Sequence, residues 1–587
     1  MNLNWDLTIY YKTPSDWEKD YLQLYKDIEV LKNYKGKLNK AKFLKEYFLK
    51  SEELEKRMLP LIGYAHQSSD LDLRNIEASG RMQQISAIYS KWGAITSFVS
   101  PELISTGQKK VSKMVNKDLK EYSFKVAELF HNQAHVLDSK AEEVISNYNT
   151  VSSAVLDTYH SLYDIDRINE KVILSDKSEH TISLSTYRKL LEELKNQDDR
   201  RLVFEAAFKR FKDNKSAFSS IYNSILLDLQ ASYKSRNYKS ALEAALDKDD
   251  IPVSLFISLK DVARENTSPI KRYINLRKKY LKIKEYHTYD RFIKLASSNT
   301  KYNYEDAREL FFEAISGFPQ EYIDHEKEAL KENYVDVLPR DGKRSGAYST
   351  AFYGYHPFIL LNHLGTLDSV FTLAHEAGHS AHSIFSSENQ PYVTSEYKIF
   401  VAEIASTFNE HLLLDYLLEK SIKKEDKISL LEMAIDNIMS TFYRQTLFAT
   451  YEYEANKLLE DGKAINDESL SKIMIDLYKD YYDIDISKED GKQYVWAYIP
   501  HLFNSPFYVY QYATSFSASL KFYENVKQNK NNAFKNYLDL LKSGGSDFPV
   551  SLVFKAGVDL TDKETFLAVI NRFNELLDIL ENLLSQK

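Results

Sequence analysis

The sequence predicts a mainly α protein in two largely helical halves, with a small β-sheet beside one central helix. Three observations carry that prediction. The 587 residues include only 16 glycines and 12 prolines, so breakers are few and long helices are expected. Glycine and proline gather instead in 333–365, which holds Pro339, Gly342, Gly346, Gly354, Pro357 and Gly365 around a strand-like Phe358–Leu361. Two short apolar runs around Asp176-Lys177-Ser178-Glu179 read as a β-hairpin. Such an interruption of a helical chain places a domain boundary near residue 190, giving segments 1–190 and 191–587.

Taken in order, residues 1–20 read as an extended entry segment with Trp5, Leu7 and Trp17 among polar residues. Helical periodicity covers 21–34, 40–58 and 69–98. Ser100-Pro101 marks a boundary, because the residue before proline is pushed out of the α region. Helices resume at 101–114, 118–137 and 138–165. The hairpin pairs Lys171–Ser175 with His180–Leu184. Helices follow from Ser185 to Tyr233, and Arg236–Ser240 connects to a helical Ala241–Leu246. Further helices cover 253–283 and 303–332. Past the glycine-rich stretch, helices are expected at 367–385, 395–418, 428–462, 467–484 and 506–527, with a last one from Glu564 to Leu584.

Composition excludes several classes of function. The chain is 43% hydrophobic and 28% charged, as a globular protein is. Its net charge of −8, with both signs interspersed, argues against nucleic acid as a primary partner. No basic start followed by an apolar run opens the sequence, so no signal peptide is expected. No run approaches 18 apolar residues, so no membrane span is expected. Cysteine is absent, which excludes disulfides and fits a reducing cytoplasm.

The chemistry centres on His375-Glu376-Ala377-Gly378-His379. Two histidines four apart lie on one face of a helix, so both imidazoles can reach one Zn²⁺ ion. The glutamate beside the first is placed to handle the proton of a water on that metal. Thr366 is a candidate N-cap, and Asp368 falls in the first turn, where the helix dipole favours an acid. Small Ala377 and Gly378 would let another segment approach closely. His325-Glu326 begins a decoy, since Ala329 occupies the second histidine position. His131 and His135 are also four apart but lack the glutamate, and they read as ordinary polar positions, as do His363 and His411.

A catalytic zinc needs a third protein ligand and an open position. On the following predicted helix Glu396, Glu403 and Glu410 repeat every seven residues, on one face that also carries apolar side chains. Burying that row would be costly without a cation nearby. Glu403, in its middle, is the expected ligand, and Glu410 the acceptor for the free N–H of a ligating imidazole. Asp368 and His382, seven residues to either side of His375, are assigned supporting places behind the ligands.

Phe371–His379, followed by Val401-Ala-Glu-Ile-Ala-Ser-Thr-Phe-Asn-Glu410, resembles the thimet-type zinc oligopeptidases, and among them the oligoendopeptidase F group. His356–Asn362, Ile499-Pro500-His501 and Phe507–Tyr512 fit the same resemblance, which runs through most of the chain. It implies a zinc endopeptidase acting on short oligopeptides, with His375, His379 and Glu403 as ligands and Glu376 as general base. It also implies that the helical halves enclose a deep channel, and that residues 191–587 form the catalytic domain.

The oxyanion of peptide hydrolysis needs donors besides the metal. His501 and the tyrosines Tyr508, Tyr510 and Tyr512 are the candidates. Tyr508 and Tyr512 share a helical face, from which Tyr510 points away unless the helix starts late. Asp341–Gly346 is not a phosphate loop, since it lacks the upstream glycine and the Lys-Ser/Thr pair. An edge strand in 333–365 that hydrogen-bonds an extended peptide is the better expectation. Two alternatives remain open at this point: a zinc carboxypeptidase or dipeptidyl carboxypeptidase, and an inactive helical peptide-binding protein.

Overall fold

Helices dominate the computed structural model, which describes residues 3–166, 168–297, 300–530 and 532–586. The chain divides into two units, neither continuous in sequence. Unit 1 comprises Met1–Ala134, Thr300–Leu417 and Phe522–Val558, and unit 2 comprises His135–Asn299, Leu418–Lys521 and Asp559–Lys587. The expected boundary near residue 190 is therefore not where the compact units part. Residues 135–190 pack with unit 2, while 1–134 share a unit with the segment carrying the HExxH motif. Contacts between segments hundreds of residues apart decide this grouping, and a hairpin read along the chain cannot report them.

In unit 1 the long helix α1 (Ala41–Leu71) runs through Pro60. A proline inside a helix costs roughly 3 kcal/mol. Burial of Leu54, Met58, Leu61 and Ala65 on one face outweighs it, so the helix is longer than the expected 40–58. Helix α2 (Gln320–Ala329) follows the break at Pro319. Then come β1 (Val335–Asp336), β2 (Tyr348–Thr350) and β3 (Phe358–Leu360). They form one sheet in the order β1-β3-β2, with β3 parallel to β1 and antiparallel to β2. The small sheet expected in 333–365 is thus present, and β2 is its edge. The entry segment lies along the other side: Val337 N–H donates to the Leu3 carbonyl, and Trp5 Nε1 donates to the Ile359 carbonyl at 2.8 Å.

Two helices then build the site, α3 (Leu367–Asn389) and α4 (Ile399–Lys420). α3 packs against α2, the sheet and α5 (Ala533–Lys542). Ser349 on β2 and Ser380 on α3 share a hydrogen bond of 2.8 Å, which ties the edge strand to the helix. Asn362 donates to the Arg344 and Gly346 carbonyls and fixes the loop before β2.

Unit 2 holds the hairpin, with Glu170–Ile173 antiparallel to Glu179–Ile182 and Lys171 opposite Thr181. Its turn is pinned by Asp199, which accepts from the Ser175 N–H and hydroxyl. Two fully buried ion pairs, Arg200–Asp290 and Arg277–Glu432, cross-link its helices at 2.9 and 2.7 Å. Arg236 forks onto Glu142, which suits the connector expected at 236–240.

Candidate metal centre

Helix α3 begins as its sequence dictates. Thr366 caps it by accepting from Ser369 N–H, and Asp368 occupies the first turn. Val370, Leu373, Ala374, Ala377 and Ala381 are buried, leaving His375 and His379 on a partly open face. Gly378 allows α4 to cross at backbone distance. A Cβ there would lie 2.7 Å from the Ala405 carbonyl oxygen and 2.8 Å from Ser406 Cα. This is the close approach that the small residues predicted.

The crossing brings Glu403 to the two histidines. His375 Nε2 lies 3.1 Å from His379 Nε2, and Glu403 Oε2 lies 3.3 and 3.5 Å from those nitrogens. Three ligand atoms of a tetrahedral zinc, each at 2.0–2.1 Å from it, would be about 3.3 Å apart. The residues present therefore fit a Zn²⁺ ion, and among the described residues this is the one such group of His, Asp and Glu. Burial opposes charge on Glu403, but the two imidazoles hold its carboxyl well below the usual range. Burial likewise opposes protonation of His375, and Glu403 and Glu410 outweigh it and raise its pKa.

Glu410 meets His375 Nδ1 at 2.5 Å, two turns along the same face of α4 from Glu403. That bond fixes the ring and leaves Nε2 for the metal side. The third acid of the expected row does not join them. Glu396 precedes α4, which starts at Ile399 and not at 395, because the chain makes a separate short turn at Tyr392–Ser395. Glu376 is 6% exposed, and its Oε2 has no hydrogen-bond partner among the described residues. Burial pushes its carboxyl up, against the pull of both imidazoles.

Asn409 was not foreseen. Its amide donates to the Ala374 carbonyl and to Glu326 Oε1, each at 3.0 Å, and Tyr322 donates to its Oδ1. Asn409 thereby locks α4 to α3 at a point of α4 between Glu403 and Glu410. Glu326, the acid of the decoy motif, is the buried anchor of that lock. Its partner lies 83 residues away, so only an asparagine next to Glu410 hinted at it.

His382 and Asp368, the two residues expected in support, lie in different surroundings. His382 is buried, stacked on Tyr397 at 3.7 Å, and its pKa is pushed down to about 3 by burial and by His379. The Tyr397 hydroxyl in turn lies 3.0 Å from Ser383 Oγ. Asp368 lies in the first turn of α3. It is exposed, and seven residues separate it from His375 by about 10 Å of helix. Its place is the dipole end of α3. His325 stacks on Phe385, His363 bonds the Tyr302 carbonyl, and His135 bonds the Arg236 carbonyl, and none of these belongs to a possible metal group among the described residues.

The model of peptidase family M3 matches residues 190–572, and a second, described as Oligopeptidase F, matches 102–167. The chain belongs to peptidase family M3. Oligopeptidase PepF of Bacillus subtilis is 32% identical over 99% of this chain and 87% of its own length. A crystal structure from Chlamydophila abortus matches with a TM-score of 0.90 and 31% identity, covering 99% of this chain and 98% of that one. The structure of oligoendopeptidase-F from Enterococcus faecium matches with a TM-score of 0.77 and 26% identity, over 98% and 99%.

The remaining candidates of this M3 peptidase lie in unit 2. The short helix His501–Asn504 and the helix Tyr510–Lys527 are joined by Ser505–Val509. His501 is exposed and stacks parallel to Tyr508, with ring centroids 5.9 Å apart. Tyr512 stands edge-on to both, at 5.5 Å from Tyr508 and 6.4 Å from His501. The His501 ring is nonetheless partly desolvated by its surroundings, which lowers its pKa. Tyr510 is set apart: it is 2% exposed and packs edge-on to Phe256 at 5.6 Å. A phenol in that position belongs to the core, although the helix starts late, at Tyr510 itself. No helix of the described residues is long and apolar enough to cross a membrane.

Proposed function

We propose that the chain is a zinc-dependent endopeptidase that hydrolyses internal bonds of short oligopeptides. The observation that carries this is the triangle of His375, His379 and Glu403 with Glu376 next to it on α3. The names of the M3 relatives, oligopeptidase and oligoendopeptidase F, support the substrate class. Zn²⁺, when bound, supplies a Lewis acid and lowers the pKa of a coordinated water toward ~7.

The residues of the chain do the rest. Glu376, its carboxyl raised by burial, accepts the proton of the attacking water and later delivers it to the leaving amine. Glu410 holds the His375 ring in the tautomer with Nδ1–H toward the carboxylate. His501, with Tyr508 and Tyr512, donates hydrogen bonds to the substrate carbonyl oxygen as charge develops on it. The edge strand β2, tied to α3 through Ser349 and Ser380, is the backbone against which an extended peptide lies. With no cysteine in the chain, a reducing cytoplasm is the proposed setting.

A decapeptide with both ends blocked and an internal quenched fluorophore tests this, with and without chelator. Chelator-sensitive internal cleavage is expected. Cleavage only after the C-terminus is unblocked would make it a carboxypeptidase, and no cleavage of a varied peptide set by metal-replete protein would make it a binding protein.

A further inference from the structure

The turn ahead of Tyr508 carries an unexplained strain. Ser505-Pro506-Phe507-Tyr508 is closed by the Tyr508 N–H donating to the Ser505 carbonyl at 3.2 Å. Phe507, in the third place, has φ of +55°. Proline second and a positive φ third define a type II turn, whose third place ordinarily goes to glycine or asparagine. A phenylalanine there is strained, and such strain persists only where the surroundings over-determine it.

Two contacts supply that. The Phe507 ring is 3% exposed and packs edge-on to Phe256 at 6.2 Å. Its N–H, which a type II turn directs sideways, donates to Glu452 Oε1 at 2.8 Å. Glu452 lies on the helix Arg444–Glu460, is 2% exposed, and its Oε2 has no hydrogen-bond partner among the described residues. Burial pushes its carboxyl up to about 8. A carboxyl buried this deeply is costly to keep, and the Phe507 N–H is the group it serves.

The consequence lies on the far side of the turn. With Phe507 held inward, Tyr508 faces out, where it meets His501 and Tyr512. We propose that Glu452 is a positioning residue: by holding the Phe507 N–H in the left-handed turn, it sets the His501–Tyr508–Tyr512 cluster in place for substrate. This rests on the reading that His501 and Tyr508 act on the substrate, and the test separates the two.

The experiment uses the full-length, zinc-loaded protein and the blocked decapeptide, with kcat, KM, zinc content and thermal unfolding measured together. Glu452→Gln keeps a neutral acceptor at the same reach and retains wild-type kcat. Glu452→Ala removes the acceptor, and Glu452→Asp withdraws it by one methylene, which serves if the alanine variant does not fold. Both lower kcat about tenfold with zinc content unchanged, a fraction of the roughly 10²–10³ that loss of an oxyanion donor itself costs. Glu452→Ala combined with His501→Ala and Tyr508→Phe is no slower than the latter pair alone. If Glu452→Ala and Glu452→Asp melt earlier yet keep wild-type kcat while His501→Ala loses it, Glu452 is only structural and the proposal is overturned. If His501→Ala and Tyr508→Phe both keep wild-type kcat, the underlying reading fails, and the proposal falls with it.

Discussion

Gly378→Ala should cost the site its metal before it costs the protein its fold. The added Cβ would sit 2.7 Å from the Ala405 oxygen, 2.8 Å from Ser406 Cα and 2.9 Å from the Ala405 carbonyl carbon. All three are backbone atoms of α4, so no side chain can swing aside. Restoring ordinary contact at 3.4 Å requires α4 to retreat by about 0.7 Å. Glu403 is in the turn that must move, and its carboxylate oxygen now lies 3.3 and 3.5 Å from the two imidazole nitrogens. Metal–ligand distances tolerate only about 0.2 Å. The expected result is a loss of zinc affinity of tenfold or more, with overpacking lowering stability by about 1–3 kcal/mol. Competition with a chelator of known affinity measures the first, and denaturant unfolding the second. A variant that binds zinc as tightly as wild type and keeps its activity would refute the argument that the helix crossing sets the ligand triangle.

Other outcomes follow from the same geometry. Glu410→Ala frees the His375 ring and should weaken zinc binding by about 10- to 100-fold; unchanged affinity in chelator competition counts against that role. Tyr508→Phe should lower kcat, whereas Tyr510→Phe, in the core, should leave kcat near wild type and shift only the melting temperature; the reverse pattern would exchange their assignments. Glu326 gives a pH dependence of stability. Burial pushes its folded pKa up to about 8 from 4.5. Between those values the folded state holds a proton that the unfolded chain has released. Its stabilising contribution is therefore complete below the unfolded value and is lost as pH rises through about 8, at up to about 1.4 kcal/mol per pH unit. Urea unfolding from pH 6 to 9 should show a shallower fall for Glu326→Gln than for wild type, and equal slopes would remove Glu326 as the source.

The metal helix was legible because its signal is local. A four-residue histidine spacing, a threonine cap and two small residues all report on one helix, and the structure places each as expected. Glu403 and Glu410 were legible through their spacing of seven among apolar residues, although Glu396 falsely extended the row past the helix start. Asn409 and Glu326 were not legible, since the value of either depends on a partner 83 residues away. The same holds for the two units, which interleave distant segments. The late start of the helix at Tyr510 was hidden for another reason. The glycine that marks a type II turn is replaced there by Phe507, held by a glutamate 55 residues upstream.

The most direct test of the central claim is to measure zinc content and peptide turnover together in Glu376→Gln. Glu376 is beside the His375–His379–Glu403 group and is not part of it. One zinc per chain, bound as tightly as in wild type, with hydrolysis of the blocked peptide abolished, is the result predicted for a general base acting next to a His375–His379–Glu403 metal. Normal turnover in that variant, or wild-type protein that cleaves the peptide while binding no metal, would contradict it.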